Sequence, residues 1–213
     1  MTRPDGYVPA AGRESLTRFY DLGIRLTMRE GQWRPLLARA AVEGKPSLIA
    51  DVGCGTGTLT IAIAAKTSAT VVGIDGDPAI LELARRKQGA DRVDWREGLA
   101  GALPFADDSV DCLVTTLVLH HLPRETKIVA LDEMKRVLRP GGTLLLADWG
   151  KAHGPGMRAA FFALQCLDGF TNTADNVAGL LPDYVSDASF TGVDRIKRLR
   201  TVFGSFEILR ATA

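Results

Sequence analysis

From residue 47 to residue 148, short runs of β-branched residues or leucine alternate with segments patterned for helices, and no other feature of the chain constrains its fold as much. Ser47–Val52 (S-L-I-A-D-V) is an apolar run that ends in a glycine-rich turn. Thr58–Lys66 is alanine-rich and reads as a buried helix, and Thr70–Asp75 (T-V-V-G-I-D) reads as a second strand. Asp77 and Pro78 follow at N-cap and N1, where an acceptor side chain and a preset φ suit a helix start. Ile80, Leu83 and Ala84 give that helix an apolar stripe at i, i+3, i+4 spacing. Arg92–Glu97 and Val110–Thr115 supply strands three and four. Arg124–Leu138 is a helix whose apolar face is Ile128, Leu131, Met134, Val137 and Leu138. Pro140-Gly141-Gly142 stops it, and Thr143–Asp148 is the fifth strand. Repeated strand–helix–strand units predict a parallel sheet with helices on both faces, and right-handed crossovers make it doubly wound.

The flanks differ. Pro155–Ser189 is patterned for irregular helix, with Gly-Phe-Thr-Asn at 169–172 as a break and Pro182 entering a last helix. Gly192–Thr201 and Ser205–Thr212 read as strands joined near Gly204, which allows only a tight antiparallel hairpin. Residues 1–45 suggest one or two leading helices, with Phe19, Tyr20, Leu22, Ile24 and Leu26 as apolar content. The expected fold is therefore α/β: a Rossmann-like, mostly parallel seven-stranded sheet, doubly wound, with an antiparallel C-terminal hairpin. A chain of 213 residues fits one domain, divided into leading helices or lid (1–45), ligand-binding core (46–150), substrate-side insertion (151–189) and hairpin (190–213).

Composition excludes several partners. With 26 basic and 25 acidic residues the net charge is +1, so nothing electrostatic favours a nucleic acid. The basic run Arg195–Arg200 alternates with apolar residues, as a strand with one wet face would. Cys54, Cys112 and Cys166 are odd in number and never form a C-x-x-C pair, against a disulfide framework or structural zinc. No signal-peptide core and no membrane-length apolar stretch occurs, so the expected setting is reduced and cytoplasmic.

Ligands of open α/β sheets bind outside the carboxyl ends of the strands. After strand one comes Gly53-Cys54-Gly55-Thr56-Gly57, whose alternate glycines permit a tight turn and close backbone approach. A dinucleotide fingerprint, G-x-G-x-x-G, would carry its third glycine one residue later; Thr58 stands there instead. The turn alone is compatible with several nucleotides. Asp51 lies inside strand one, where a buried carboxylate needs a partner such as a ligand ammonium group. Asp75 ends strand two, from which an acid reaches a ribose diol; its alternative, helix capping, suits Asp77 better.

These segments resemble a known family. D-V-G-C-G-T-G-T (51–58) looks like motif I of class I S-adenosylmethionine (SAM)-dependent methyltransferases, and V-V-G-I-D-G-D-P (71–78) like their acidic second motif. L-P-F-A-D-D-S-V-D-C-L-V-T-T-L-V-L-H-H-L (103–122) and R-V-L-R-P-G-G-T-L-L-L-A-D (136–148) resemble the ubiquinone/menaquinone-biosynthesis-like branch. T-V-F-G-S-F-E-I-L-R-A (201–211) is similar to that branch's closing hairpin. The resemblance implies SAM as methyl donor, S-adenosylhomocysteine (SAH) as product, and no metal. Asp51 and the backbone of Gly53 and Gly55, with Cys54 and Gly57 in the same turn, would surround the methionine part. Asp75 would take the ribose hydroxyls with Gly76 and Asp77 beside it, and Thr115 and Leu117 would line the floor. Leu99 departs from the pattern: relatives often place there an aspartate that accepts from the adenine amino group, so adenine here either falls to backbone groups and apolar contact or is bound less selectively.

A sulfonium methyl is already activated, so the protein's contribution is alignment, plus deprotonation where the acceptor needs it. His120 and His121 follow strand four and have a suitable intrinsic pKa for a base; the alternative is a packing and helix-entry role. Asp148 and Trp149 end strand five on the same side, and His153 reads as a surface residue. Tyr20, Arg29 and Trp33 could close over the cofactor, Arg29 meeting its carboxylate. Phe161, Phe162, Phe170 and Tyr184 fit a small, partly apolar acceptor, or lid packing. Two further readings stand beside methyl transfer: a non-catalytic SAM-binding protein, and a nicotinamide-dependent oxidoreductase, against which the glycine spacing argues.

Overall fold

The structure, a computed structural model, describes residues 29–154, 156–158, 161–162, 165, 170–201 and 204–213. Its helices are α1 (Glu30–Ala40), α2 (Thr58–Ala64), α3 (Pro78–Arg85), α4 (Arg124–Val137), α5 (Phe170–Ala178) and α6 (Leu181–Asp187). Its strands are β1 (Leu48–Val52), β2 (Thr70–Asp75), β3 (Asp94–Glu97), β4 (Val110–Thr116), β5 (Leu138–Gly150), β6 (Thr191–Arg200) and β7 (Ser205–Thr212). They form one seven-stranded sheet in the order β3-β2-β1-β4-β5-β7-β6. β1 through β5 pair in parallel, and β7 pairs antiparallel with both β5 and β6, as the hairpin reading expects.

The strand period of two decides which residues meet which helices. Ile49 packs with Trp33, Leu37 and Ile63 on the α1/α2 side, while Ala50 and Val52 pack with Leu131, Met134 and Val185 on the α4/α6 side. Asp51 shares the face of Ile49 and so lies under α2. The chain reverses direction of travel between β1 and β4, which makes the gap beyond their carboxyl ends the topological switch point.

Several boundaries and faces differ from the sequence reading. On α3 the buried pair is Leu81 and Ala84, and Leu83 is exposed; two stripes of equal spacing exist there, and the sheet selects the one through Leu81. On α4 Ile128 is exposed and Lys127 fully buried, because the inward row runs 127, 130, 131, 134, 137. Leu138 is buried as the first residue of β5, not the last of the helix. The Pro-Gly-Gly segment does not interrupt β5: Val110 pairs with Leu138 but Cys112 with Thr143, so a register shift absorbs it. Strand three begins at Asp94, after a 3-10 turn over Ala90–Arg92. Of the break placed at 169–172, residues 170–172 are instead the first turn of α5, and Gly169 lies outside the described residues. Tyr20 and the other leading aromatic and aliphatic residues named above, like Cys166, lie outside the described residues. Trp33 belongs to the core, its ring 4.9 Å from that of Phe206.

Candidate functional site

The turn after β1 is held by backbone. Gly53 and Cys54 both donate their N–H to the carbonyl of Ile74 at 2.8 and 2.9 Å, which ties the turn to the end of β2. Gly53, Gly55 and Gly57 take φ of +70°, +53° and +74°, a region costly for residues with a Cβ. A Cβ on Gly53 would stand 2.1 Å from a Val118 methyl carbon, and one on Gly57 2.3 Å from the Trp95 ring. Among the described residues a Cβ on Gly55 would meet nothing within 4 Å, which leaves room for a ligand to approach this glycine.

Asp75 organises the rim. Its Oδ2 accepts the N–H of Gly55 at 2.8 Å and its Oδ1 that of Asp77 at 3.0 Å, so one carboxylate joins both ligand-facing loops. Burial holds its pKa above the usual value although the backbone donors of Asp77, Gly55 and Gly76 oppose it. Asp77 is the N-cap of α3, accepting the N–H of Ala79 at 2.9 Å, which is the capping role read from the sequence. Gly76 between them is buried.

Asp51 is 1% exposed, and the Thr60 hydroxyl donates to its Oδ2 at 2.6 Å. Burial pushes the carboxyl up to about 6, against that hydrogen bond. Among the described residues no cation forms an ion pair with it. The nearby positive charge comes from Arg34 on α1. Arg29 takes a left-handed conformation and donates to the carbonyl of Arg200 at 3.4 Å. Burial, then Asp51 and Asp75, push the Cys54 thiol up, so it stays protonated. A buried anion, a rim carboxylate and an open glycine face fit the ammonium, ribose and backbone-hugging parts of SAM.

Leu99 is half-buried and makes an isolated antiparallel bridge with Ala102, just after Gly98, whose N–H donates to the carbonyl of Asp75 at 3.1 Å. Thr115 is buried and its hydroxyl has no hydrogen-bond partner among the described residues. Leu117 has φ of +58°, a strained position for a γ-branched residue, anchored by its N–H on the carbonyl of Ala147 at 2.8 Å. That kink lays the next residue, Val118, against Gly53.

The other half of the site is a side-chain pair. His120 lies in a 3-10 turn (Leu119–His121) and its Nδ1 is 2.7 Å from Asp148 Oδ1, both side chains being almost wholly buried. The His120 N–H donates to Asp148 Oδ2 at 3.2 Å, and the Trp149 N–H to Oδ1 at 2.7 Å. Burial works to raise the Asp148 carboxyl, but His120 and these donors hold it below the usual carboxylate range. An ionised Asp148 fixes the His120 proton on Nδ1. The His121 ring stacks 3.9 Å from His120, and burial beside that ring pushes its pKa down to about 3. The Trp149 ring meets Phe161 edge-on at 5.5 Å, an apolar wall beside the pair. His153 is exposed and hydrogen-bonds Ser205, and Phe162 is also exposed.

Sequence reasoning missed Thr60, Val118 and the Asp148 partnership. Thr60, a polar residue on the buried side of an alanine-rich helix, was the one readable signal. Among the described residues no group of three His, Cys, Asp or Glu side chains could hold a metal, and no helix is long and apolar enough to cross a membrane.

A family profile described as a methyltransferase domain matches residues 49–142. A demethylmenaquinone methyltransferase of Clavibacter sepedonicus is 35% identical over 163 residues, 76% of this chain and 65% of that protein. The chain spans less than two thirds of the length of that relative and 42% of an uncharacterized Mycobacterium bovis protein that it matches at 38% identity. Among solved structures, a SAM-dependent methyltransferase of Thermotoga maritima superposes with a TM-score of 0.68 at 19% identity, over 93% of this chain and 97% of that one. A magnesium protoporphyrin IX methyltransferase of Synechocystis, solved with SAH bound, gives the same TM-score at 21% identity, over 98% of this chain and 90% of that one. At such identities the structures share the fold.

Proposed function

We propose that this chain, whose residues 49–142 match a methyltransferase-domain profile and which is similar to a demethylmenaquinone methyltransferase, transfers the methyl group of SAM to a small, partly apolar acceptor in a reduced, cytoplasmic setting. The observation that carries this reading is the Gly53–Gly57 turn at the switch point, joined to Asp75 through the Gly55 N–H. SAM, when bound, supplies a methyl group activated on a sulfonium centre.

The chain's own residues have distinct tasks. Asp51 would meet the ammonium group, the Gly53–Gly57 backbone with Cys54 would line the methionine part, and Asp75 would accept from the ribose hydroxyls with Gly76 and Asp77 alongside. Thr115 and Leu117 would form the floor, and Leu99 would offer adenine an apolar contact. Of the two histidines, His120 is the better base: Asp148 orients it, whereas His121 stays neutral down to about pH 3 and binds protons weakly. Trp149 and Phe161 favour an apolar acceptor ring. The name of the Clavibacter relative makes a demethylated menaquinol the first acceptor to assay.

Calorimetric titration with SAM, SAH and NAD tests the cofactor assignment. Micromolar binding of the two sulfur ligands is expected; tighter binding of NAD than of both would overturn it. Transfer of labelled methyl to a quinol, with loss of turnover but not of SAH affinity in His120→Ala, would support the base.

A further inference from the structure

α5 buries polar residues where a helix that merely covered a core would be apolar. Thr173, Asp175 and Asn176 are each at most 2% exposed. Burying such groups is costly unless each finds a partner, so the partners show what the helix is for.

Asn172 and Asn176 stand four residues apart, so both amides leave one face of the helix. Asn172 Nδ2 donates to the carbonyl of His121 at 2.8 Å, the residue after His120. Asn176 Nδ2 donates to the carbonyl of Trp149 at 2.9 Å, the residue after Asp148. The helix thus grips both segments that carry the His120–Asp148 pair, each one residue beyond the paired side chain. It is itself anchored on α4. Asp175 accepts from Arg124 at 2.6 Å and from the buried Lys127 at 3.2 Å, and Lys127 also donates to the carbonyl of Asn172 at 2.5 Å. Burial lowers the Lys127 pKa, Asp175 opposes the shift, and the ammonium spends its protons on α5.

We propose that Asn172 and Asn176 are positioning residues: α5 is a clamp that sets the spacing of His120 and Asp148 and keeps the Nδ1 proton of His120 directed at the carboxylate. The proposal rests on the reading of that pair as the base of methyl transfer, but its geometry can be tested without an acceptor. Amides suit the task because they brace two backbone carbonyls without adding charge beside an ionised Asp148.

The test is proton NMR of the 15N-histidine-labelled full chain, following the Nδ1 proton of His120, with SAH titration in parallel. In Asn172→Leu and Asn176→Leu this proton should exchange with solvent roughly tenfold faster or vanish from the spectrum, while SAH affinity holds. A core-thinning control, Val72→Ala on β2, should lower the melting temperature and leave the proton protected. An unchanged Nδ1 proton in folded Asn172→Leu and Asn176→Leu would overturn the clamp. Should Asn176→Leu fail to fold, Asn172→Leu decides alone, since Asn172 is only partly buried. Failure of the wild type to bind SAH would overturn the proposed function instead, and the Nδ1 result would still decide the clamp.

Discussion

Beyond β1 and β2 the site is largely backbone with two carboxylates, Asp51 and Asp75, whereas beyond β4 and β5 it is made of side chains. In the first region Gly55, Asp77 and Ile74 contribute N–H and carbonyl groups, and Asp75 links loops only 20 and 2 residues apart in sequence. In the second, His120 meets Asp148 across 28 residues, and Asn172 meets His121 across 51. The backbone region is suited to a ligand whose shape is constant, because its groups are fixed by turn geometry. The side-chain region, proposed to face the acceptor, could change its specificity by exchanging residues while the sheet stays the same. Both depend on one strained position, Leu117, which carries Val118 back onto Gly53 and so locks the two regions together.

The sharpest break in the backbone region is Gly53→Ala. The added methyl would overlap Val118 and demand a positive φ, costing about 3 kcal/mol or more; chemical denaturation measures it, and a near-wild-type midpoint would refute the close packing. Asp51→Asn should act oppositely on the ligand-free protein. The Asp51 carboxyl rises from 3.8 to about 6 on folding, so its contribution to stability is full below pH 3.8 and lost as pH rises through 6. At pH 8 the amide should therefore be more stable by up to about 3 kcal/mol, with the gain gone near pH 4, and it should bind SAH more weakly. Melting curves at the two pH values check the sign. Asp75→Ala should weaken SAH binding by about 1.5–3 kcal/mol through lost charged hydrogen bonds; unchanged calorimetric affinity in a folded variant would remove Asp75 from the site. Gly55→Ala should cost only about 1–2 kcal/mol of stability, since its Cβ meets nothing, yet it should lose SAH binding because the methyl enters the ligand's space.

The side-chain region should respond least to ligand titration. His120→Ala and His121→Ala are expected to leave SAH affinity nearly intact, and a large loss in either would merge the two regions. The His121 pKa falls from 6.5 to about 3 on folding, so its stabilising contribution is full above pH 6.5 and is lost as pH falls toward 3. His121→Asn should flatten acid unfolding across that window.

Legibility followed the same division. The strand–helix alternation, the glycine turn, the Asp77 cap and the C-terminal hairpin were readable because each depends on residues a few positions apart. The phase of a helix was less so: on α4 a lysine heads the inward row, and a hydrophobicity pattern passes over it although its stem is buried and its ammonium paired. The start of α5, residues 170–172, was read as part of a break for a related reason, since Thr and Asn favour turns unless a distant partner satisfies them.

The sequence by itself determined the order of elements, the glycine turn and the two carboxylates beside it, because local dihedral preference and hydrophobic period need no knowledge of the rest of the chain. Tertiary structure alone decided that Thr60 meets Asp51, that Asp148 rather than solvent meets His120, and that two asparagines of α5 brace that pair. Those contacts join residues whose proximity is created by sheet order and helix docking, and no spacing along the chain encodes it.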